Sequence, residues 1–417
     1  MKQLLIGLLL LTFSQLLSAS TNTNPQFEFG TISADKCIAQ GAAVTCDIDF
    51  ENSYSSPPLV FVMSTINASR SNFTTKTTEY PSALRVWSVT NSKAVIKQRI
   101  APHAKACSRL KYKRNNKGEW LWQCVNNTSG EVVNYIDAPM ENIDYLVIEP
   151  GVLEFDNGAK IVAGSFSTKK TISGRDNKGS GTSINFNSYG LSSSFSSAPG
   201  VLVQLQSKEN NSNGEPLWLT ATAKNPSRYN VTVMLDRSEV TNNSNLTNPE
   251  EVAFVAGLGE GFVQGRKFWL GQGSTQNTLS LNDKVIKPIT EGCKQFVNFS
   301  GVSFNKVPTL IASKSARNGP NGGWLRRCSV TKNGVSLIVE EDMNKDAERS
   351  HTLEPFSYFL FDKPPTNSTC ALFPSPTQTW ENNTHASIII ENNANISGAP
   401  ISGGKRYIGF ESNEITD

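Results

Sequence analysis

YSSPPLVFVM, residues 54–63, returns twice in altered form, as FSSAPGVLVQL at 195–205 and FNKVPTLIAS at 304–313. In each, an aromatic residue stands four positions before a proline that opens an apolar run: Tyr54 and Pro58, Phe195 and Pro199, Phe304 and Pro308. A short apolar run bounded by Ser, Asn and Pro reads as a β-strand. Proline at its first position removes no hydrogen bond from the ladder.

The likeness extends outward from these stretches. Each is preceded by an apolar-polar-Phe strand, IDF at 48–50, INF at 184–186 and VNF at 297–299. Each is followed by a strand, a turn and a strand: LRVWSVTNSKAVIKQ from Leu84, LTATAKNPSRYNVTVML from Leu219 and LRRCSVTKNGVSLIVEE from Leu325. Each closes on an aromatic strand, IDYLVIE from Ile143, VAFVAG from Val252 and FSYFLFD from Phe356. Two of these run into similar bridges, PGVLEFDNGAKIVAGSFST and GLGEGFVQGRKFWLGQGST. Self-similarity at a fixed spacing marks a repeated unit. Alternating strands of this length predict an all-β protein of three tandem antiparallel β-sandwich repeats, each of about 110 residues. The repeats are expected at 27–150, 151–257 and 258–362, followed by a C-terminal tail, 363–417, with one clear strand, ASIIIE.

Composition narrows the function. Formal net charge is only +3, so no global field draws the chain onto nucleic acid or an anionic membrane, and any basic function is local. The opening MKQLLIGLLLLTFSQLLSAS reads as a cleavable signal peptide over 1–20, too short for a membrane span, which implies secretion to a periplasm or the cell surface. Export makes disulfides the expected state of the cysteines: Cys37 with Cys46, Cys107 with Cys124, and Cys293 with Cys328, leaving Cys370 without an assigned partner. No C-x-x-C occurs and only three His, His103, His351 and His385, so no metal or cofactor is expected.

The order V-x-F, aromatic-x-x-x-P-x-V, R-V-x-x-V-T and Y-L-V-I-E-P-G resembles the H-type lectin-like domain. The stretch IDYLVIEPGVLEFDNGAKIVAGS is similar to its version in bacterial MshQ-type proteins of the mannose-sensitive haemagglutinin pilus system, and CALFPSPTQTW resembles the segment that follows those domains. The resemblance covers most of 27–380 and is clearest in the first repeat. It implies a six-stranded antiparallel sandwich that, in the lectins, assembles as a trimer and binds N-acetylgalactosamine-type sugars near subunit contacts. Three tandem copies would replace that trimer by an intramolecular pseudo-trimer. The lectins' His, Arg, Trp and Asp sugar ligands have no position-by-position counterpart here.

CSRLKYKRNNKGEWLWQC, Cys107 to Cys124, is an insertion confined to the first repeat. With the two cysteines directly opposite, the chain reverses at Asn115 and Asn116, Arg109 falls opposite Trp122 and Lys111 opposite Trp120. Three readings compete. The plain one is a pinned hairpin whose cationic stems cover the indoles. The second is a platform on which Trp120 and Trp122 stack against a sugar while Arg109 bonds its hydroxyls or carboxylate. The third, a nucleic-acid grip, is held down by export and low net charge.

Trp218 and Trp324 stand at equivalent places, each after a Gly-containing loop and before the Leu strand. They are strand-end residues covering the core edge, or a repeated ligand lip with Arg326 beside the second. The acidic run EEDMNKDAE, 340–348, lacks calcium-loop spacing and reads as a solvated loop. No G-x-S-x-G or H-E-x-x-H occurs, so the chain is not expected to be an enzyme. The expected function is a lectin-like, carbohydrate-binding adhesin whose partners are cell-surface glycans. The competing reading is a pilus-associated component that holds no sugar and contacts pilus or surface proteins.

Overall fold

A computed structural model describes residues 26–33, 36–40, 43–66, 77–79, 81–102, 110–114, 120–125, 132–136, 140–155, 157–173, 178–212, 215–240, 246–263, 266–282, 285–286, 289–345 and 349–363. The leader, Cys107, Arg109, Cys370 and the tail lie outside them. Strand is the dominant element of the described residues, and its pairings are almost all antiparallel.

The first segment supplies β1 (Phe27–Ile32), β2 (Ala43–Asp49), β3 (Leu59–Val62), β4 (Ser82–Val89), β5 (Lys93–Ile100) and β6 (Ile143–Ile148). The second supplies β7 (Lys160–Thr168), β8 (Thr182–Asn185), β9 (Gly200–Leu205), β10 (Thr220–Lys224), β11 (Asn230–Asp236) and β12 (Glu250–Val263). The third supplies β13 (Arg266–Thr275), β14 (Val297–Asn298), β15 (Thr309–Lys314), β16 (Trp324–Val330), β17 (Gly334–Glu340) and β18 (Glu354–Phe361).

Pairing is the same in all three segments. The closing strand lies between the first strand and the proline-led strand, giving inner sheets β1-β6-β3, β7-β12-β9 and β13-β18-β15. The opposing sheets are β2-β5-β4, β8-β11-β10 and β14-β17-β16. Local devices recur too. Phe50, Phe186 and Phe299 each donate a backbone N–H to the turn carbonyl of Ser92, Tyr229 and Asn333, at 2.9, 3.0 and 2.8 Å. Those turns are themselves closed by Thr90, Ser227 and Thr331, whose hydroxyls accept backbone N–H groups two and three residues on, as short hydroxyl side chains do in tight turns. Tyr54, Phe195 and Phe304 are all buried.

The inner strands are apolar on both faces. One face of β3 and β6 (Val60, Val62, Ile143, Tyr145, Val147) packs on β2, β4 and β5, and one face of β9 and β12 (Val201, Val203, Val252, Phe254) on the second opposing sheet. Their other faces (Phe61, Leu146, Ile148, then Leu202, Val255) join Leu310, Phe359 and Phe361 in one continuous cluster. Phe29 stacks on Phe361 at 4.0 Å between ring centres. Strands buried on both sides lose the hydrophobic-polar alternation, which is why DYLVIE and SYFLF read as unbroken runs. The three inner sheets thus share a core. β12 runs across the expected 257/258 boundary, pairing with β7 and β9 in its first half and with β13 in its second.

The disulfides Cys37–Cys46 and Cys293–Cys328 are formed as expected. The first joins directly opposed residues of a hairpin, and the second ties β16 to the segment before β14.

Candidate functional site

Of the inserted hairpin, the structure describes the backbone of residues 110–114 and 120–125. It corrects the expected register. Lys111 pairs with Gln123, not Trp120; Tyr112 stands opposite Trp122, Arg114 opposite Trp120, and Leu110 opposite Cys124. The insertion is also larger than a hairpin, because Val132–Ile136 adds to Trp120–Val125 and pairs in parallel with Thr77–Glu79. The register expected with the two cysteines directly opposite therefore differs from the observed one by three residues, Lys111 facing Gln123 and not Trp120.

Trp324 and Arg326 lie inside the protein. Gly322 and Gly323, at φ +84° and +97°, turn the chain sharply into β16 in a conformation that side-chain-bearing residues rarely adopt. Trp324 is thereby directed against the first segment, 6% exposed, with Nε1 donating to the Ser82 carbonyl at 2.8 Å. Arg326 is fully buried, donating to the Thr65 carbonyl and pairing with Glu340 at 3.2 Å. The ligand-lip reading of Arg326 is therefore corrected: a guanidinium with its donors engaged in the interior has none to offer at a surface. Arg327 closes the same junction on Asp144, which also accepts the Leu310 N–H at 2.9 Å. Residues 340–342, expected in a solvated loop, are buried as well. Glu340 holds Arg326 and Arg349, and Asp342 accepts the Glu239 N–H of the second segment at 2.9 Å.

Where the second segment meets the first, the arrangement is more open. Arg85, on β4 at the place that Arg326 holds on β16, donates to the carbonyls of Leu217 (2.9 Å) and Ser207 (2.7 Å) and lies 3.7 Å from buried Glu250. Burial in this seam lowers its pKa to about 10, although Glu250 pulls the other way. Trp218 is only half-buried and meets Trp324 edge to face at 5.0 Å. Its Nε1 is itself buried and has no acceptor among the described residues. A small niche of about 10 Å³ beside it is lined by Ala83, Arg85, Arg99, Leu217 and Trp218.

Farther along β4, Trp87 occupies a β-bulge between Val86 and Ser88, a device that re-aims a side chain. The Lys97 ammonium lies 3.8 Å and the Lys208 ammonium 4.5 Å from its ring centre, and Lys208 also donates to the Trp87 carbonyl at 2.7 Å. The sequence carried a signal for this platform: along KAVIKQR the cations Lys93, Lys97 and Arg99 alternate with the inward residues Ala94, Ile96 and Gln98. What it did not carry was Lys208, brought in from more than a hundred residues away.

Between these seams lies a cavity of about 70 Å³, room for several waters. It is lined by corresponding residues of all three segments: Val62, Val203 and Ala312, with Leu84, Leu219 and Leu325. Among the described residues, no group of three or more His, Cys, Asp or Glu is placed to hold a metal ion. No helix among them is long and apolar enough to cross a membrane. No protein-family model matches the chain, nor does any curated protein or solved structure.

Proposed function

We propose that this chain is a lectin-like recognition protein: three copies of one six-stranded sandwich, closed around a common core as an intramolecular counterpart of a trimer, which binds saccharides at the seam between its first and second copies. The reading rests on the resemblance of the repeated motifs to the H-type lectin-like domain. Its single structural support is the asymmetry of the tryptophan pair: Trp324 is buried with its N–H bonded, whereas Trp218, beside Arg85 and Arg99, stays half-open. A half-open indole suits a sugar ring, whose C–H face packs on aromatics. The function needs no catalytic group, and export through the leader would place it where glycans are.

Purified protein applied to a glycan array tests this. The expected result is binding to a restricted set of glycans that falls at least tenfold in Trp218→Ala, with the far-ultraviolet spectrum unchanged. Absence of binding to every glycan, or equal binding by a folded Trp218→Ala, sinks the proposal.

A further inference from the structure

The Trp87 end of the same seam has a composition that the fold alone does not explain. Arg85 and Lys97 stand directly opposite in the β4–β5 ladder, a like-charge pairing that destabilises a sheet unless something offsets it. Arg85 has Glu250. Lys97 has no carboxylate within ion-pair distance among the described residues, and neither has Lys208, although the second segment brings Lys208 over the same indole. Partial burial, with repulsion from Lys97 and Arg85 added to it, lowers the pKa of Lys208, and Glu209 opposes this. Cation–π contact is individually weak at such sites and does not account for gathering two cations at one ring. A bound anion would.

We infer that Lys97, Lys208 and Trp87 form an anion subsite that takes the carboxylate or sulfate of an acidic saccharide. This rests on the reading of the seam as a saccharide site and narrows its ligand class. Alternate residues Ala83, Arg85 and Trp87 run along β4 from the Trp218 niche to the lysine pair, about 13 Å at the usual rise per strand residue. A short oligosaccharide spans that distance, with a neutral ring at Trp218 and its charged group between the two ammonium ions. The indole supplies an apolar wall, which a free inorganic anion would not need. A nucleic acid is the poorer occupant, since a near-neutral chain lacks the extended cationic track that a phosphate backbone follows.

The test uses the full chain and four probes at matched ionic strength: oligogalacturonate for the carboxylate, sulfated dextran oligosaccharide for the sulfate, neutral dextran oligosaccharide, and single-stranded oligothymidylate. Affinities are measured by titration calorimetry for wild type, Lys208→Met, Lys97→Met and Trp87→Phe, alongside the glycan array. The methionine variants keep the stem and remove the charge, so they leave packing in place, and Trp87→Phe keeps an aromatic at the bulge. One or both acidic saccharides should bind, at least tenfold more weakly in either methionine variant and more weakly in high salt, while array binding of neutral glycans is unchanged. Which acid binds better identifies the anionic group. The inference falls, with the saccharide reading intact, if only neutral glycans bind or if acidic saccharides bind both methionine variants as tightly as wild type. It falls equally if oligothymidylate binds more tightly than either acidic saccharide. Absence of binding to any saccharide overturns both.

Discussion

Two seams in this molecule use the same strand position and end differently. Where the third segment meets the first, Arg326, Arg327 and Trp324 turn inward, and each finds a partner: Glu340 and Thr65, Asp144, and Ser82. Where the second meets the first, Arg85 is buried likewise, but Trp218 remains half-open and Lys97 and Lys208 gather on Trp87 with no carboxylate at ion-pair distance among the described residues. The difference teaches that one repeated scaffold position, held by buried partners in both seams, is flanked in one by side chains that are all engaged and in the other by an open indole and a pair of lysines. On the proposed reading, that second set is the one that meets a ligand.

The sharpest way to break this contrast is to remove one charge from each seam. Arg327→Met leaves Asp144 buried and unpaired against the Leu310 amide, and loss of one partner of a buried pair costs about 3–5 kcal/mol. Lys208→Met removes a partly buried cation that has no ion pair among the described residues and should change stability by less than about 1 kcal/mol, or raise it slightly by relieving repulsion. Urea denaturation of the two variants checks this, and equal losses would mean that the seams do the same job.

The third junction, between the second and third segments, sharpens the comparison through pH. The Asp342 carboxyl is pushed up to about 8, mainly by burial; the N–H groups of Glu239 and Asn344 oppose this, and the carboxylates of Glu239 and Asp236 add to it. A carboxyl whose folded pKa lies above its unfolded value favours folding while protonated, so its contribution is present in acid and is lost as pH rises through about 8. His351 adds to the same trend: burial disfavours its charge, but Glu341 and Glu354 outweigh burial and raise its pKa. The melting temperature should therefore fall between about pH 5 and 8, by a few degrees, and Asp342→Asn should make that fall shallower. A variant that tracks wild type across this range would remove Asp342 from the account.

The fold class was legible because strand geometry is a local rule. Proline-led runs, hydroxyl-closed turns and period-two alternation need only neighbouring residues, and β3, β9 and β15 begin directly after Pro58, Pro199 and Pro308. The unbroken apolar runs of β6 and β18 also announced strands covered on both faces. The seams were not legible. LRVW and LRRC look alike as strings, and whether Arg85 or Arg326 meets solvent depends on Leu217, Glu250, Thr65 and Glu340, distant in the chain. The hairpin register differed too, and the strand that extends it, Val132–Ile136, lies outside the stretch from which it was read.

The account depends on the three sandwiches sharing one core, and small-angle scattering on residues 26–363 tests that most directly. A single compact body of that length has a radius of gyration of about 20 Å, and the account predicts a value close to it. Three sandwiches strung in a row would give roughly 30 Å or more, estimated from the size of each unit. That result would leave Phe29 and Phe361 apart, and the seams that carry the proposed site would not exist.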